Sequence, residues 1–348
     1  MAGFVPIGST SPPANLRFFT AFDGDPEIDL PESRERRLLE MRLMQNYIWN
    51  MAKPFAVHPN KEWGDMFERT IPAMALENDN LMSSLMVVSA SNLLMKNPDD
   101  PVLLDAQRTY LVKAVREQRI MIDALSVETA DPICMTSLFL LTHSFASLRD
   151  RPLEPYTPPL RWLHMGRGAG VLIWMSVNTL NKAGLLDTSR VLFVAGSYPR
   201  LGFDESYFDE SMRRDFNGLL SQKLPGSRDV WDDETRDTYE KTLSYVGSIQ
   251  NAINKQEPAY AICRRIKAFP LIATPKFTSF VEECRPRALT ILAHYFATTI
   301  QVQGPWWLGA AEGGREGMAQ REIRAIAKAL PPEWQAQMVW PLDIASVR

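Results

Sequence analysis

The sequence has 348 residues, of which 45% are hydrophobic and 23% are charged. A chain of this length and composition can bury a large core. Its formal net charge is −3, so no overall positive field attracts a nucleic-acid backbone, and we expect no direct binding to nucleic acid.

Residues 1–30 are rich in helix-breaking and turn residues, including Pro6, Pro12, Pro13 and Pro26. They predict a disordered or extended N-terminal arm. The start of the chain lacks the basic residues and sustained apolar run of a signal peptide. The longest apolar patch, Ile133 to Leu141, is too short to cross a bilayer. We therefore expect an intracellular protein without a membrane span.

From residue 31 to residue 345 the apolar residues recur at helical spacing, and no long stretch alternates as a strand does. The pattern predicts an all-α fold, a single large irregular multi-helix domain over residues 31–345. Predicted helices cover residues 33–57, 79–96, 101–125, 131–149, 159–178, 188–195, 208–221, 233–254, 258–269, 276–284, 286–303, 318–330 and 332–339. The four prolines between Arg149 and Pro159 predict an irregular loop.

Two Asp-Pro pairs predict helix starts. In Asp100-Pro101 and Asp131-Pro132, the aspartate is an N-cap candidate and the proline occupies the first helical position. At the other end of the chain, Trp340-Pro341 is interpreted as the stop that closes the last helix.

The C-terminal sixty residues are dense in aromatic side chains. Leu289, Leu292, Phe296 and Ile300 form one apolar face of the helix predicted at 286–303. Four of the nine tryptophans follow, and buried indole N–H groups need hydrogen-bond partners. We expect a core or a pocket wall, formed in part by Trp306, Trp307, Trp334 and Trp340.

The order of these segments resembles the C-terminal regulatory, ligand-binding domain of fungal binuclear zinc-cluster transcription factors, in particular the sterol-uptake-control type. The resemblance rests on AHYF at Ala293 to Phe296, the Trp306-Trp307 pair, Pro331 to Trp334, and Trp340-Pro341. Near the start, the same family pattern is matched by Pro72, Ala75, Leu81, Met82, Leu85, Ser89 and Ala90. The resemblance covers about residues 30 to 345 and is weakest between 180 and 285.

The resemblance implies a transcriptional regulator, nuclear or alternatively cytoplasmic, that holds a small apolar ligand such as a sterol, terpenoid or polyketide-like molecule. Partners implied are a second copy of the chain, as a homodimer, or a DNA-binding regulator, as a heterodimer. We expect control of a fungal metabolic or secondary-metabolite pathway. The expected ligand-binding residues are Phe139, His143, Trp162, Met165, Gly166, Trp174, Tyr295, Phe296, Trp306 and Trp307.

A binuclear zinc cluster uses six cysteines, because two tetrahedral Zn²⁺ ions need thiolates, some of them shared. The sequence has three, Cys134, Cys263 and Cys284, without a CxxC pair. We therefore expect no zinc-cluster DNA-binding module, no metal and no cofactor. One alternative is that an upstream exon encodes the missing cysteines.

A second alternative is a pathway enzyme or pocket protein of fungal secondary metabolism built on the same helical fold. No nucleophile motif or metal signature supports it, and we expect no catalytic residues. If the chain is an enzyme, His143, His164 and His294 are the proton-transfer candidates, because histidine titrates near neutral pH.

The glycines at 166, 168 and 170 have two interpretations. They allow close packing between helices, or they leave space beside Trp162, Met165 and Trp174 for an apolar molecule. A dinucleotide-binding turn is disfavoured, because such a turn follows a strand and the residues before Gly166 already have helical spacing.

Overall fold

The computed structural model describes residues 32–52, 64–190, 205–221, 230–302, 304–309 and 316–346. These residues form helices and connecting turns, and no β-strand occurs among them. The all-α multi-helix fold predicted from the sequence is confirmed. The arm predicted at residues 1–30 lies outside the described residues, so the division into an arm and a single domain over residues 31–345 stays a prediction.

The α-helices of the described ranges are labelled in chain order: α1 (Arg34–Asn46), α2 (Ile71–Ala75), α3 (Asp79–Lys96), α4 (Pro101–Asp123), α5 (Ala130–Ala146), α6 (Leu160–Lys182), α7 (Asp233–Asn254), α8 (Ala259–Ile272), α9 (Pro275–Glu282), α10 (Pro286–Ile300), α11 (Met318–Ala329) and α12 (Val339–Ser346). Within the described ranges, π-helices span Tyr47–Ala52 and Met66–Thr70. Short 3₁₀ helices span Leu186–Thr188, Glu205–Phe208, Glu210–Leu220, Trp306–Leu308 and Pro332–Met338.

The two larger hydrophobic cores of the described residues share helix α6. The N-terminal core is built mainly from α1, α3, α4 and α5 and takes Met165 and Leu172 from α6. The C-terminal core is built mainly from α7 to α12 and takes Trp162, Leu163 and Ala169 from α6. The half-buried Trp306 packs against both cores. The position of α6 therefore links the two halves of the structure.

Helix capping explains several boundaries. Asp100 caps α4 as predicted, since its carboxylate accepts hydrogen bonds from the backbone N–H groups of Val102 and Leu103 at 3.0 and 3.2 Å. The prediction for Asp131 is wrong. Helix α5 already begins at Ala130, and the Asp131 carboxylate instead accepts hydrogen bonds from Ser189 and Arg190 in the segment after α6.

Some predicted helices differ from the structure. The helix predicted at 33–57 is α-helical only to Asn46 and continues as a π-helix to Ala52. The segment predicted at 208–221 is a 3₁₀ helix. Of the helix predicted at 188–195, residues 191–195 lie outside the described residues. In the described part, Thr188 is the last residue of the 3₁₀ helix Leu186–Thr188.

The interpretation of Trp340-Pro341 as a helix stop is wrong. Pro341 is the third residue of α12, where a missing N–H costs nothing because the first four N–H groups of a helix have no intrahelical acceptor. Pro270 likewise lies inside α8 near its end. The missing N–H of Pro270 would have donated to the carbonyl oxygen of Ile266, four residues earlier, and that oxygen instead accepts a hydrogen bond from the Tyr295 hydroxyl at 3.0 Å.

Helix α6 crosses α8 at a glycine. A Cβ atom placed on Gly166 meets the Pro270 Cβ atom at 2.3 Å and its carbonyl carbon at 2.7 Å. Gly170, one turn later, comes within 3.0 Å of the Leu271 carbonyl oxygen by the same measure. The close-packing interpretation of these glycines is therefore the one that the contacts support.

The proline-rich segment from Arg149 to Pro159 is held against α11 by buried charge. Arg151 donates two hydrogen bonds to Glu322 at 2.5 and 2.8 Å, and the Glu322 side chain is fully buried. Burial raises the pKa of Glu322 despite the neighbouring guanidinium of Arg151. Arg321 adds hydrogen bonds to the carbonyl oxygens of Arg149 and Arg151, so the segment has a fixed course.

We expect Gly166→Ala to lower the free energy of unfolding by about 1 to 3 kcal/mol, because the added methyl group overlaps backbone and side-chain atoms of Pro270 and forces α6 and α8 apart. Gly218→Ala is the matched control, since its Cβ position has no atom within 4 Å. The control should change stability by less than about 0.5 kcal/mol. Urea denaturation compares the two, and equal effects would contradict the proposed close contact.

We expect Glu322→Gln to destabilise the protein by about 3 kcal/mol, because it leaves the mostly buried Arg151 guanidinium without a counter-charge. Glu154→Gln is the control in the same segment, since Glu154 pairs with Lys328 where both side chains are exposed. Loss of this exposed ion pair should leave the denaturation midpoint unchanged. A midpoint shift of the same size for both variants would show that burial of the pair is not what matters.

Candidate functional site

Two of the residues expected to bind a ligand, Tyr295 and Phe296, pack against a third, Trp162. Its indole ring lies among four aromatic rings, with centroid distances of 5.2 Å to Phe145, 6.0 Å to Phe269, 5.6 Å to Tyr295 and 6.0 Å to Phe296. These rings come from α5, α6, α8 and α10. Trp162 is 1% exposed, and Tyr295 and Phe296 are 0% exposed, so the aromatic cluster is a packed core.

Trp307, the second residue of the tryptophan pair, joins this aromatic cluster through Phe145. Trp307 lies edge-on to Phe145 at 4.9 Å. The Lys267 ammonium lies 4.6 Å from the centroid of the Trp307 ring and donates a hydrogen bond to the Thr142 hydroxyl at 2.9 Å. Burial of this ammonium lowers the pKa of Lys267 to about 8, and nearby Arg264 acts in the same direction. No sequence pattern points to Lys267, because its partners Thr142 and Trp307 lie on distant segments.

Two indole N–H groups are without partners. The Nε1 atoms of Trp162 and Trp334 are buried and have no hydrogen-bond acceptor among the described residues. The expectation that each buried indole finds a partner is not met at these two positions. An unpaired buried donor costs about 1 to 3 kcal/mol, so each of these two indoles lowers the stability of the fold by about that amount.

The other expected ligand residues are not gathered around Trp162. Phe139 and Met165 lie in the N-terminal core, where Phe139 packs edge-on to Tyr47 at 5.7 Å. Trp174 is 38% exposed. Met165 and Trp174 are nine residues apart on α6, which places them about 180° apart around the helix. Met165 and Trp174 therefore cannot line one cavity on a single side of α6.

His143 has a hydrogen-bond partner at each ring nitrogen. Its Nδ1 atom lies 2.9 Å from the Ser91 hydroxyl and its Nε2 atom lies 3.3 Å from the Ser147 hydroxyl. Gln107 donates to the same Ser91 hydroxyl at 2.9 Å. Burial lowers the pKa of His143 to about 4, and Arg161 acts in the same direction. These contacts favour a neutral, structural imidazole over one that transfers protons.

The other two histidines have different surroundings. His164 is half-buried, and its pKa is lowered by burial and by Arg167 against the opposing effect of Glu282. His294 is buried against the rings of Phe216 and Trp340, and burial lowers its pKa to about 4. The structure therefore gives the three proton-transfer candidates separate sets of neighbours.

Two open grooves are lined by residues other than the aromatic cluster. One, of about 460 Å³, runs along Phe216, His294 and Trp340. The other, of about 520 Å³, lies between the Pro152 to Glu154 segment and α11. The charged side chains of the second groove pair with one another, Arg324 with Glu316 at 2.8 Å and Lys328 with Glu154 at 2.5 Å. Because these charges already have partners, the groove along Phe216, His294 and Trp340 is the stronger candidate for a ligand site.

The described ranges contain no group of three or more His, Cys, Asp or Glu side chains arranged to hold a metal ion. Within the same ranges, no helix combines the length and the apolar character needed to cross a membrane.

Two known proteins are similar to most of this chain. A Zn(2)-C6 fungal-type transcription factor, afumD of Aspergillus fumigatus, is 26% identical over 263 residues, which are 75% of this chain and 67% of the relative. A Zn(2)-C6 fungal-type transcription factor of Gibberella zeae is 24% identical over 328 residues, which are 89% of this chain and 62% of the relative.

The chain thus spans about two thirds of the length of these curated relatives. No protein-family model matches it. The two similarities support a relationship to fungal transcription factors, and they do not distinguish the sterol-uptake-control type from others.

We expect the stability of the protein to fall as the pH drops from 6.5 towards 4, because the unfolded chain binds a proton that folded His143, with a pKa of about 4, does not bind. The contribution of one such histidine is up to about 1.4 kcal/mol per pH unit in this window. His143→Gln should flatten the pH dependence of the free energy of unfolding by that amount. His164→Gln should flatten it less, since His164 is only half-buried. Denaturant titrations at pH 5, 6 and 7 measure how the free energy of unfolding depends on pH. An unchanged pH dependence for His143→Gln would refute the lowered pKa of His143.

Proposed function

We propose that this chain is a transcriptional regulator that senses a small apolar ligand and acts through a partner that contacts DNA. The observation that carries the proposal is its similarity to two fungal transcription factors over 75% and 89% of its length. The negative net charge favours assigning DNA contact to a partner. So does the presence of three cysteines, half the number that a binuclear zinc cluster uses.

The apolar character of the proposed ligand is supported by the aromatic cluster around Trp162. A sterol, terpenoid or polyketide-like molecule would match its surface, and the unpaired Nε1 atom of Trp162 offers a donor to a ligand oxygen. Because Trp162, Tyr295 and Phe296 are at most 1% exposed, such a ligand must bind a conformation in which these rings have separated. Ligand binding would then shift the population between a closed and an open core, which is a physical basis for sensing.

The partner is proposed to be a second copy of the chain or a DNA-binding regulator, and the site of action to be the nucleus. A regulator of this kind would control a fungal metabolic or secondary-metabolite pathway. The two hydrogen bonds of His143 give no support to an enzymatic role for that residue.

We expect the full chain to change reporter transcription when it is fused to a heterologous DNA-binding domain, because the fusion replaces the proposed partner. An apolar extract of the host should alter the reporter output, since the ligand shifts the population of the open core. The measurement is reporter activity in a host that expresses the fusion, with the DNA-binding domain alone and the unfused chain, at matched protein levels, as controls.

An unchanged reporter, together with unchanged transcript levels after deletion of the gene from its host, would contradict the regulatory role. A reporter that responds to the fusion but not to the extract would leave regulation intact and remove the ligand from the proposal.

A further inference from the structure

The groove beside α12 has a floor of three aromatic rings. His294 stacks on Trp340 with ring centroids 5.2 Å apart and planes inclined by 26°, and Phe216 meets His294 edge-on at 5.2 Å. Phe216 and Trp340 are 5.1 Å apart. The rings come from the 3₁₀ helix Glu210–Leu220, from α10 and from α12. The groove volume of about 460 Å³ lies in the range of small-molecule sites, about 300 to 1,000 Å³.

The hydrogen bond of His294 fixes its tautomer. Its Nδ1 atom lies 2.8 Å from the carbonyl oxygen of Thr290, and a carbonyl oxygen can only accept, so Nδ1 carries the proton. In the neutral ring the other nitrogen, Nε2, is then an acceptor. His294 lines the groove and is 5% exposed, and Nε2 has no partner among the described residues. A buried side chain thus presents one unfilled acceptor at the groove floor.

The protonation state supports this assignment. Burial lowers the pKa of His294 to about 4, against the opposing effect of the Thr290 carbonyl. The ring is therefore neutral at neutral pH, and Nε2 keeps its lone pair. The groove also holds Asp215, whose carboxylate, like the Nε2 lone pair, disfavours an anion.

The rim of the groove is polar and partly fixed. Gln250 donates to Asn254 at 2.9 Å and exchanges hydrogen bonds of 3.1 and 2.8 Å with Gln301. Gln337, in the 3₁₀ helix Pro332–Met338 that leads into α12, also lines the groove. An aromatic floor, one unfilled acceptor and a polar rim are the elements of a small-molecule site.

We propose that this groove binds an uncharged ring compound carrying a hydroxyl group, with its ring packed on Trp340 and Phe216 and its hydroxyl donating to Nε2 of His294. The groove is separate from the aromatic cluster around Trp162. Its occupancy does not depend on the proposed regulatory role, because binding can be measured on the isolated protein.

The test uses the full chain and two matched probes, 2-naphthol, which donates a hydrogen bond, and 2-methoxynaphthalene, which cannot. Isothermal calorimetry should show saturable binding of 2-naphthol and about fivefold weaker binding of 2-methoxynaphthalene, the effect of one lost hydrogen bond. His294→Phe keeps a ring in the stack and should abolish the preference for 2-naphthol. Trp340→Ala should weaken both probes. Trp49→Ala removes a tryptophan that is 58% exposed on the first π-helix and should change neither affinity.

Equal affinities of the two probes for the unaltered protein would overturn the proposal, as would a preference that survives His294→Phe. Because His294 is buried and its variant can lose stability, the ¹⁵N resonance of Nε2 is followed in the unaltered chain as well. It should shift on addition of 2-naphthol and stay in place with 2-methoxynaphthalene. Binding of 2-naphthol without that shift would place the probe elsewhere and refute the site, whatever the reporter experiment shows.

Discussion

The packing of the Trp162 indole against rings from three other helices is the contact on which the architecture depends. Aromatic pairs of this kind contribute about 0.5 to 1.5 kcal/mol each beyond the area they bury, and Trp162 makes four of them. One turn further along α6, Gly166 touches Pro270, so the same helix is fixed against α8 by a backbone contact. Since α6 also supplies Met165 to the N-terminal core, its position determines how the two cores meet.

A buried arginine fixes the wall of the groove in a different way. Arg287 is 1% exposed and donates hydrogen bonds to the carbonyl oxygens of Leu219 and Ser221, which end the 3₁₀ helix that carries Phe216. Its guanidinium lies 4.6 Å from the ring centroid of Trp231 and 5.7 Å from that of Trp334. Delocalised charge on aromatic faces is a favourable way to bury an arginine. The groove wall is thereby anchored to α10, the helix that also carries His294.

The sequence predicted what local pattern determines. The bounds of α3, the Asp100 cap and the apolar face of α10 all follow from spacing and capping chemistry within one segment. The groove could not be predicted in this way, because Phe216, His294 and Trp340 are far apart in the chain and Phe216 lies where the family resemblance is weakest. Pro341 shows the same limit on a smaller scale. A proline can stand in the first turn of one helix or just after the last turn of another. The local sequence around Trp340-Pro341 does not distinguish these two positions.

His143 and His294 show why residue type alone does not assign a role. Both are buried, and burial lowers the pKa of both to about 4. His143 has a hydroxyl at each ring nitrogen, whereas His294 uses only Nδ1. A histidine with its ordinary pKa of about 6.5 gains a proton and loses its acceptor as the pH falls just below neutral. Because His294 stays neutral there, the groove keeps one acceptor of constant character, which suits recognition of a hydroxyl group better than acid–base catalysis, for which a pKa near the operating pH is optimal.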